Sequence, residues 1–191
     1  MTKPTIYPPE IEQAILAKLE RGSMYCTVSY SLDYDAGYVL EGKISLWVIS
    51  DKGDYLEFGD GEIYQVCHGS VDEDYLLFAA DAMSGHFETV TGCIRDNEDD
   101  LINYTHLYYL SHFDLFPQFQ GKGFGKKAAD LAIRSAGALD SPVFIYPAEG
   151  EKIPHESLKK FWLSLHSSAE WDEAHNTVYI IKYEQINEPK A

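Results

Sequence analysis

The sequence predicts one mixed α/β domain, on three observations. Apolar residues recur at helical spacing near the amino terminus; short apolar or alternating runs fill residues 25–66; and a helical stripe resumes directly behind a glycine-rich turn. A chain of 191 residues, 45% hydrophobic and 14% aromatic, is long enough to bury a sizeable core and falls in the range of a single domain. With no internal repeat and no linker to divide it, residues 1–191 read as one unit.

Each element has its own signal. Pro8 and Pro9 precede Ile11, Ile15, Leu16 and Leu19, with Gly22 placed to end that helix. The runs TVSYSL, YVLEG, ISLWVIS, YLEF and EIYQV predict several antiparallel strands, with Asp60-Gly61 as a turn signal among them. Residues 72–83 have the spacing of a further helix, capped by Asp72 and ended by Ser84-Gly85. FETVTGCI (87–94) and LYYLSHFDLF (107–116) read as the two strands of a hairpin, with the acidic turn DNEDD between them. Phe124, Ala128, Leu131, Ala132 and Ser135 then form a helix stripe that stops near Gly137. PVFIYP (142–147) is a short buried strand, 156–166 a helix, and TVYIIKYE (177–184) a final strand.

The formal net charge of −16 argues against general affinity for nucleic acid, whose phosphates attract lysine and arginine. The charge is uneven: residues 1–100 hold 20 acids and 6 bases, residues 101–191 hold 11 and 9. The acidic half suits a cationic partner such as a polyamine, an aminoglycoside or a lysine-rich peptide, and serves plain solubility equally well. No run approaches the roughly 18 apolar residues of a membrane span, and MTKPTIYPPE lacks the pattern of a signal peptide, so a soluble cytoplasmic protein is expected. Cys26, Cys67 and Cys93 are odd in number and far apart, which fits reduced thiols in that compartment. The histidines at 68, 86, 106, 166 and 175 show no metal spacing, and no metal is expected. Oligomeric state is left open.

The chemistry concentrates at residues 115–127, LFPQFQGKGFGKK, where a strand passes into a helix through three glycines. Glycines there permit unusual backbone angles and keep side chains away from the amides. Exposed N–H groups at a helix start suit a phosphate, and Lys122, Lys126 and Lys127 add positive charge in the same turn. A P-loop requires Ser or Thr where Lys127 stands and a glycine five residues before Gly125, and neither is present; a Gly-x-Gly-x-x-Gly fingerprint fails at Lys126 and at Ala128. The glycines also admit a plainer reading, a tight turn that only permits close packing.

The same segment resembles the Gln/Arg-x-x-Gly-x-Gly/Ala signature of the GCN5-related N-acetyltransferase (GNAT) superfamily. Leu115, Pro117, Phe119 and Gln120 stand in register with its longer form, followed by Gly121, Lys122, Gly123, Phe124 and Gly125. The resemblance extends over residues 87–184 in element order, with the cofactor segment at 107–137, and implies a mixed central sheet flanked by helices. It implies acetyl-CoA or another acyl-CoA as co-substrate, held at its pyrophosphate by the loop through Lys126. Backbone N–H groups around Phe113 and Leu115 would orient the thioester carbonyl. The acceptor would be an amine of a small cationic molecule or a protein.

The resemblance also implies an acid and a base. Aligned on HESLKKFW, the position where the family often carries an acidic tyrosine is Trp162, which has no titratable proton; Tyr146 and His155 are the substitutes. For the base, period-2 alternation places Tyr108, Leu110, His112 and Asp114 on one strand face, making His112 and Asp114 the first candidates and Glu88 the third. A missing acid also fits a protein of this fold that binds acyl-CoA without turning it over. The acidic first half fits, as a further alternative, an interaction protein that imitates nucleic acid toward a basic partner.

Overall fold

Pro9 opens the first helix because its missing N–H is one that a first turn leaves unpaired in any case. This helix, α1 (Pro9–Glu20), buries Ile15, Leu16 and Leu19. It ends where expected. Gly22 takes φ +74°, its N–H donates to Leu19 O at 2.9 Å, and Ser23 N–H reaches back to Lys18 O at 2.9 Å, the paired bonds of a Schellman end. The computed structural model describes residues 5–32, 39–67, 85–147 and 155–184; the expected helix over 72–83 lies outside the described residues.

Among the described residues, seven strands make one sheet: β1 (Tyr25–Leu32), β2 (Val39–Ile49), β3 (Tyr55–Cys67), β4 (His106–Leu115), β5 (Val143–Ile145), β6 (Glu170–Asp172) and β7 (Thr177–Ile180). Their order is β1-β2-β3-β4-β5-β7-β6, and within this described sheet β4–β5 pair parallel and the other neighbours antiparallel. The remaining described helices are α2 (Gly85–Asp96), α3 (Glu98–Leu101), α4 (Gly125–Ser135) and α5 (His155–Leu163).

Helices cover both sheet faces. On one, Ile44, Leu46, Val48, Ile63 and Leu110 pack against α1 and against Ala128, Ala129, Ala132 and Ile133 of α4. Three alanines in that stripe let α4 lie close to the strands. On the other face, Val39, Val66, Leu107, Tyr109 and Phe144 meet Phe87, Val90, Cys93 and Ile94 of α2 and Leu101 of α3. The arrangement is a mixed α/β sheet between helical layers.

Three expectations are corrected. FETVTGCI is helix α2, not a strand, because Phe87, Val90 and Ile94 fall at helical spacing beneath a strand-like composition. The expected hairpin is therefore absent, and β4 pairs instead with β3 and β5. Asp60-Gly61 is no turn; it lies inside β3. A Cβ on Gly59 would stand 2.6 Å from Asp114 O and one on Gly61 2.6 Å from His112 O, so these glycines permit close approach of β3 to β4. Strand β6, at Glu170–Asp172, had no sequence signal strong enough to predict it.

Candidate functional site

The site begins with one extra residue in β4. Glu62 pairs with His112 while the next residue of β3, Ile63, pairs with Leu110, leaving Ser111 unmatched as a bulge. A bulge resets alternation. Leu110 and Phe113 therefore share the α4 face, and Phe113 and Leu115 both pack on that core. His112 and Asp114 lie on the opposite face, which corrects the expectation that they share a face with Tyr108 and Leu110.

The bulge also re-aims the backbone. His112 O and Asp114 O project toward β3, and Phe116 N–H donates to Phe58 O at 2.9 Å. The backbone groups of Phe113 and Leu115, alternating with these, face the other way. There β5 has already ended: its pairing with β4 covers only Tyr108–Val143, Tyr109–Phe144 and Leu110–Ile145. Beyond Leu110 the pairing stops, and among the described residues no strand follows β4 along this edge, the wedge of the site.

Past the wedge the chain makes a 3-10 turn, Pro117–Phe119, anchored by Phe119, which is buried edge-on against Phe58 at 6.4 Å. Gly121 and Gly123 follow at φ +70° and +84°, where an L side chain is strained, and a Cβ on either would meet nothing within 4 Å. Their left-handed angles shape the loop; open space lies beside it. Helix α4 starts without a side-chain cap at Phe124, and its first backbone bond runs from Ala128 N to Phe124 O at 3.0 Å. The amides of the first turn have no acceptor within the helix and carry its positive dipole end.

Gln120 serves this loop from within. Its amide group donates to Leu115 O at 2.8 Å and to Asp114 Oδ1 at 3.3 Å, joining the end of β4 to the glycine turn. Lys122 and Lys126 are exposed, and Lys126 Nζ donates to Ser164 O just past α5. Gly125 abuts the Phe161 ring, 3.2 Å from where its Cβ would stand. The carboxyl-terminal end of α5 is thus held on the start of α4.

Polar groups gather on the opposite face of β4. Asp114 lies in register with Asp60, and His112 Nε2 stands 3.7 Å from Asp60 Oδ1. Burial pushes the Asp114 carboxyl above its usual range; His112 opposes that rise and Asp60 adds to it. Glu62 is the cross-strand partner of His112. Asp60 reads in the sequence as a turn residue and Glu62 carries no mark there, although their alternation with Gly59 and Gly61 already puts them on one strand face.

The other candidates stand elsewhere. Tyr146, just beyond β5, stacks on His86 of α2 at 4.5 Å and packs on the α2-side core. His155 opens α5 and meets Trp171 edge-on at 5.6 Å. Glu88 is exposed on α2, not on a strand. Trp162 is buried against Phe113 at 5.9 Å.

No protein-family profile and no curated protein matches the sequence. Among solved structures, a mosquito arylalkylamine N-acetyltransferase-like 5b is similar, with 11% identity and a TM-score of 0.44 over 91% of this chain and 79% of that one. A likeness of that size lends no weight to a function.

Proposed function

We propose that the protein is an acyl-CoA-dependent N-acyltransferase of the GNAT type, acting on the amine of a cationic acceptor. One observation carries this reading: the bulged strand β4 outruns its pairing with β5, with the backbone of Phe113 and Leu115 turned to that unpaired edge, and runs directly into a left-handed glycine loop and an uncapped helix start. An anion-binding turn and a row of strand amides then lie end to end, as a long thioester with a phosphate end requires. The residues fit acyl-CoA: the space beside Gly121 and Gly123 is open, and Lys122 is exposed nearby.

Roles follow from placement. The amides of the loop and of the first turn of α4 bind pyrophosphate, and Gln120 braces the loop against β4. The wedge-facing N–H groups of β4 polarise the thioester carbonyl. On the other face, Asp60, Glu62 and Asp114 attract the acceptor's ammonium, and Asp114, with His112 beside it, removes the proton that leaves the amine nucleophilic. Tyr146 and His155 remain the alternative proton donors. A second reading, acyl-CoA binding without turnover, is favoured by Trp162, which supplies no titratable proton at the α5 position the resemblance gives to an acid.

Thermal melting with acetyl-CoA at about 100 times its dissociation constant is expected to add roughly 2.7 kcal/mol of stability, and Gly123→Glu to abolish the gain. Thiol release with a panel of amines then separates transferase from binder. Absence of stabilisation by any acyl-CoA refutes both readings.

A further inference from the structure

Three aromatic side chains form a row across β1, β2 and β3 on the sheet face opposite α4. Leu46 and Val48 of β2 are buried on the α4 side, so Trp47 between them points the other way. It pairs with Tyr25 of β1 and Glu57 of β3, and residues directly opposite each other project from the same face. The Tyr25 ring stacks on Trp47 at 4.7 Å and 15°. Tyr55, two residues before Glu57, meets Trp47 at 4.8 Å and 76°. Trp47 and Tyr55 thus make a corner of two nearly perpendicular rings, with the exposed Glu57 side chain beside both. A ring placed only to fill the core would be covered, yet Tyr55 is 70% exposed and Tyr25 43%.

Strand register ties this corner to the polar face of β4. In the next row on the same face, Ser45 of β2 lies opposite Asp60 of β3, and Asp60 opposite Asp114. The row after that holds Lys43, Glu62 and His112, and Lys43 Nζ stands 3.9 Å from Glu41 Oε1, farther still from Trp47. With about 6.8 Å between same-face rows and about 4.8 Å between strands, Trp47 is about 8 Å from Asp60 and about 12 Å from Asp114 along the sheet.

We propose that the corner of Trp47 and Tyr55, with Glu57, is a second cation site that holds the distal ammonium of a linear polyamine whose reacting amine stands at Asp114. Only the reacting end rests on the acyl-transfer reading above. The faces of the two rings attract a cation, and Glu57 adds a carboxylate beside them. An anionic or uncharged group gains from neither. The spacing of the two ends sets the form of the acceptor: two positive groups about 8–12 Å apart, joined by a thin chain that lies along the sheet face past Ser45 and Asp60. A short diamine cannot reach both ends. A monoamine of full length brings no charge to the corner.

The test compares kcat/KM, with acetyl-CoA as donor, for terminal diaminooctane, terminal diaminopropane and octylamine. Wild type is expected to prefer diaminooctane to each of the others by about tenfold. In Tyr55→Ala and in Glu57→Gln, both at exposed positions, that preference is expected to fall to about twofold or less. The ratio is read within each variant, so a general loss of activity cancels. A wild type that uses diaminooctane and octylamine equally overturns the inference, as does a preference that either substitution leaves undiminished. If no amine releases thiol, the acyl-transfer reading falls, and calorimetric titration of diaminooctane into the protein decides the second site by itself. Binding that Tyr55→Ala weakens severalfold upholds the site; no binding, or binding equal in the two proteins, overturns it.

Discussion

Asp114 concentrates the conflict between stability and chemistry in one side chain. Burial disfavours its charged form and Asp60 adds repulsion, so the carboxyl in the folded chain titrates above its ordinary value even though His112 opposes the rise. An acid with a raised folded value costs nothing while both states are protonated. It weakens the fold as pH rises past the ordinary value and ionisation is easier in the unfolded chain. Asp114→Asn should therefore match wild type in acid and exceed it in denaturant unfolding at neutral pH. The same variant should lose about a hundredfold in kcat, the usual contribution of a positioned base. A variant less stable than wild type at neutral pH would show that His112 favours the Asp114 carboxylate more than burial and Asp60 disfavour it. That His112 and Asp114 belong together was legible in the sequence. Which face they occupy was not, because the bulged residue is a serine with no sequence mark of its own.

At the scale of elements, α2 is held on the terminal hairpin by a compact polar latch. His175 Nδ1 lies 2.8 Å from Asp172 Oδ2, and Asp172 Oδ1 accepts the backbone N–H of Ala174 at 2.8 Å and of His175 at 3.1 Å. The histidine ring lies so close to α2 that a Cβ on Gly92 would be 2.4 Å from it, which explains a glycine in mid-helix. Burial would raise Asp172, but hydrogen bonds from His175 and the Cys93 thiol outweigh it and hold the carboxyl below its usual range. A lowered carboxyl contributes stability above its ordinary value, and that contribution is lost as pH falls through the folded one. Asp172→Ala should cost about 2–3 kcal/mol in urea unfolding at neutral pH, and much less in strong acid where Asp172 is already protonated. An equal loss at both pH values would assign the cost to packing. Helix α1, helix α4 and strand β5 were legible from period and caps. Helix α2 was not, since Phe87, Thr89, Val90 and Thr91 favour strands locally and only packing on the sheet selects the helix.

For the whole molecule, 31 acids against 15 bases put a negative field around a local basic turn at Lys122, Lys126 and Lys127. Such a field attracts cations and repels anions everywhere except at that turn, as the proposed acceptor and donor require. The KM for a diamine should rise severalfold between about 50 and 500 mM salt, while that for an uncharged acceptor such as hydroxylamine should change by less than about twofold. Equal responses would remove the acidic surface from acceptor recognition. The charge imbalance is plain in composition alone. Its placement beside the wedge is not, because Asp60 and Glu62 lie some fifty residues from His112 and Asp114 along the chain, and only the β3–β4 register brings them together.

The unmatched Ser111 gives β4 one position that tolerates two kinds of genetic change. Replacing that residue alters one side chain and leaves the pairing alone. Deleting its codon would remove the bulge yet keep Leu110 opposite Ile63 and His112 opposite Glu62, so Phe113 and Leu115 would stay on the core face and His112 and Asp114 off it. Descendants of this gene are therefore free to lose a letter at this one place, whereas a letter lost from a regularly paired stretch turns every later side chain to the other face.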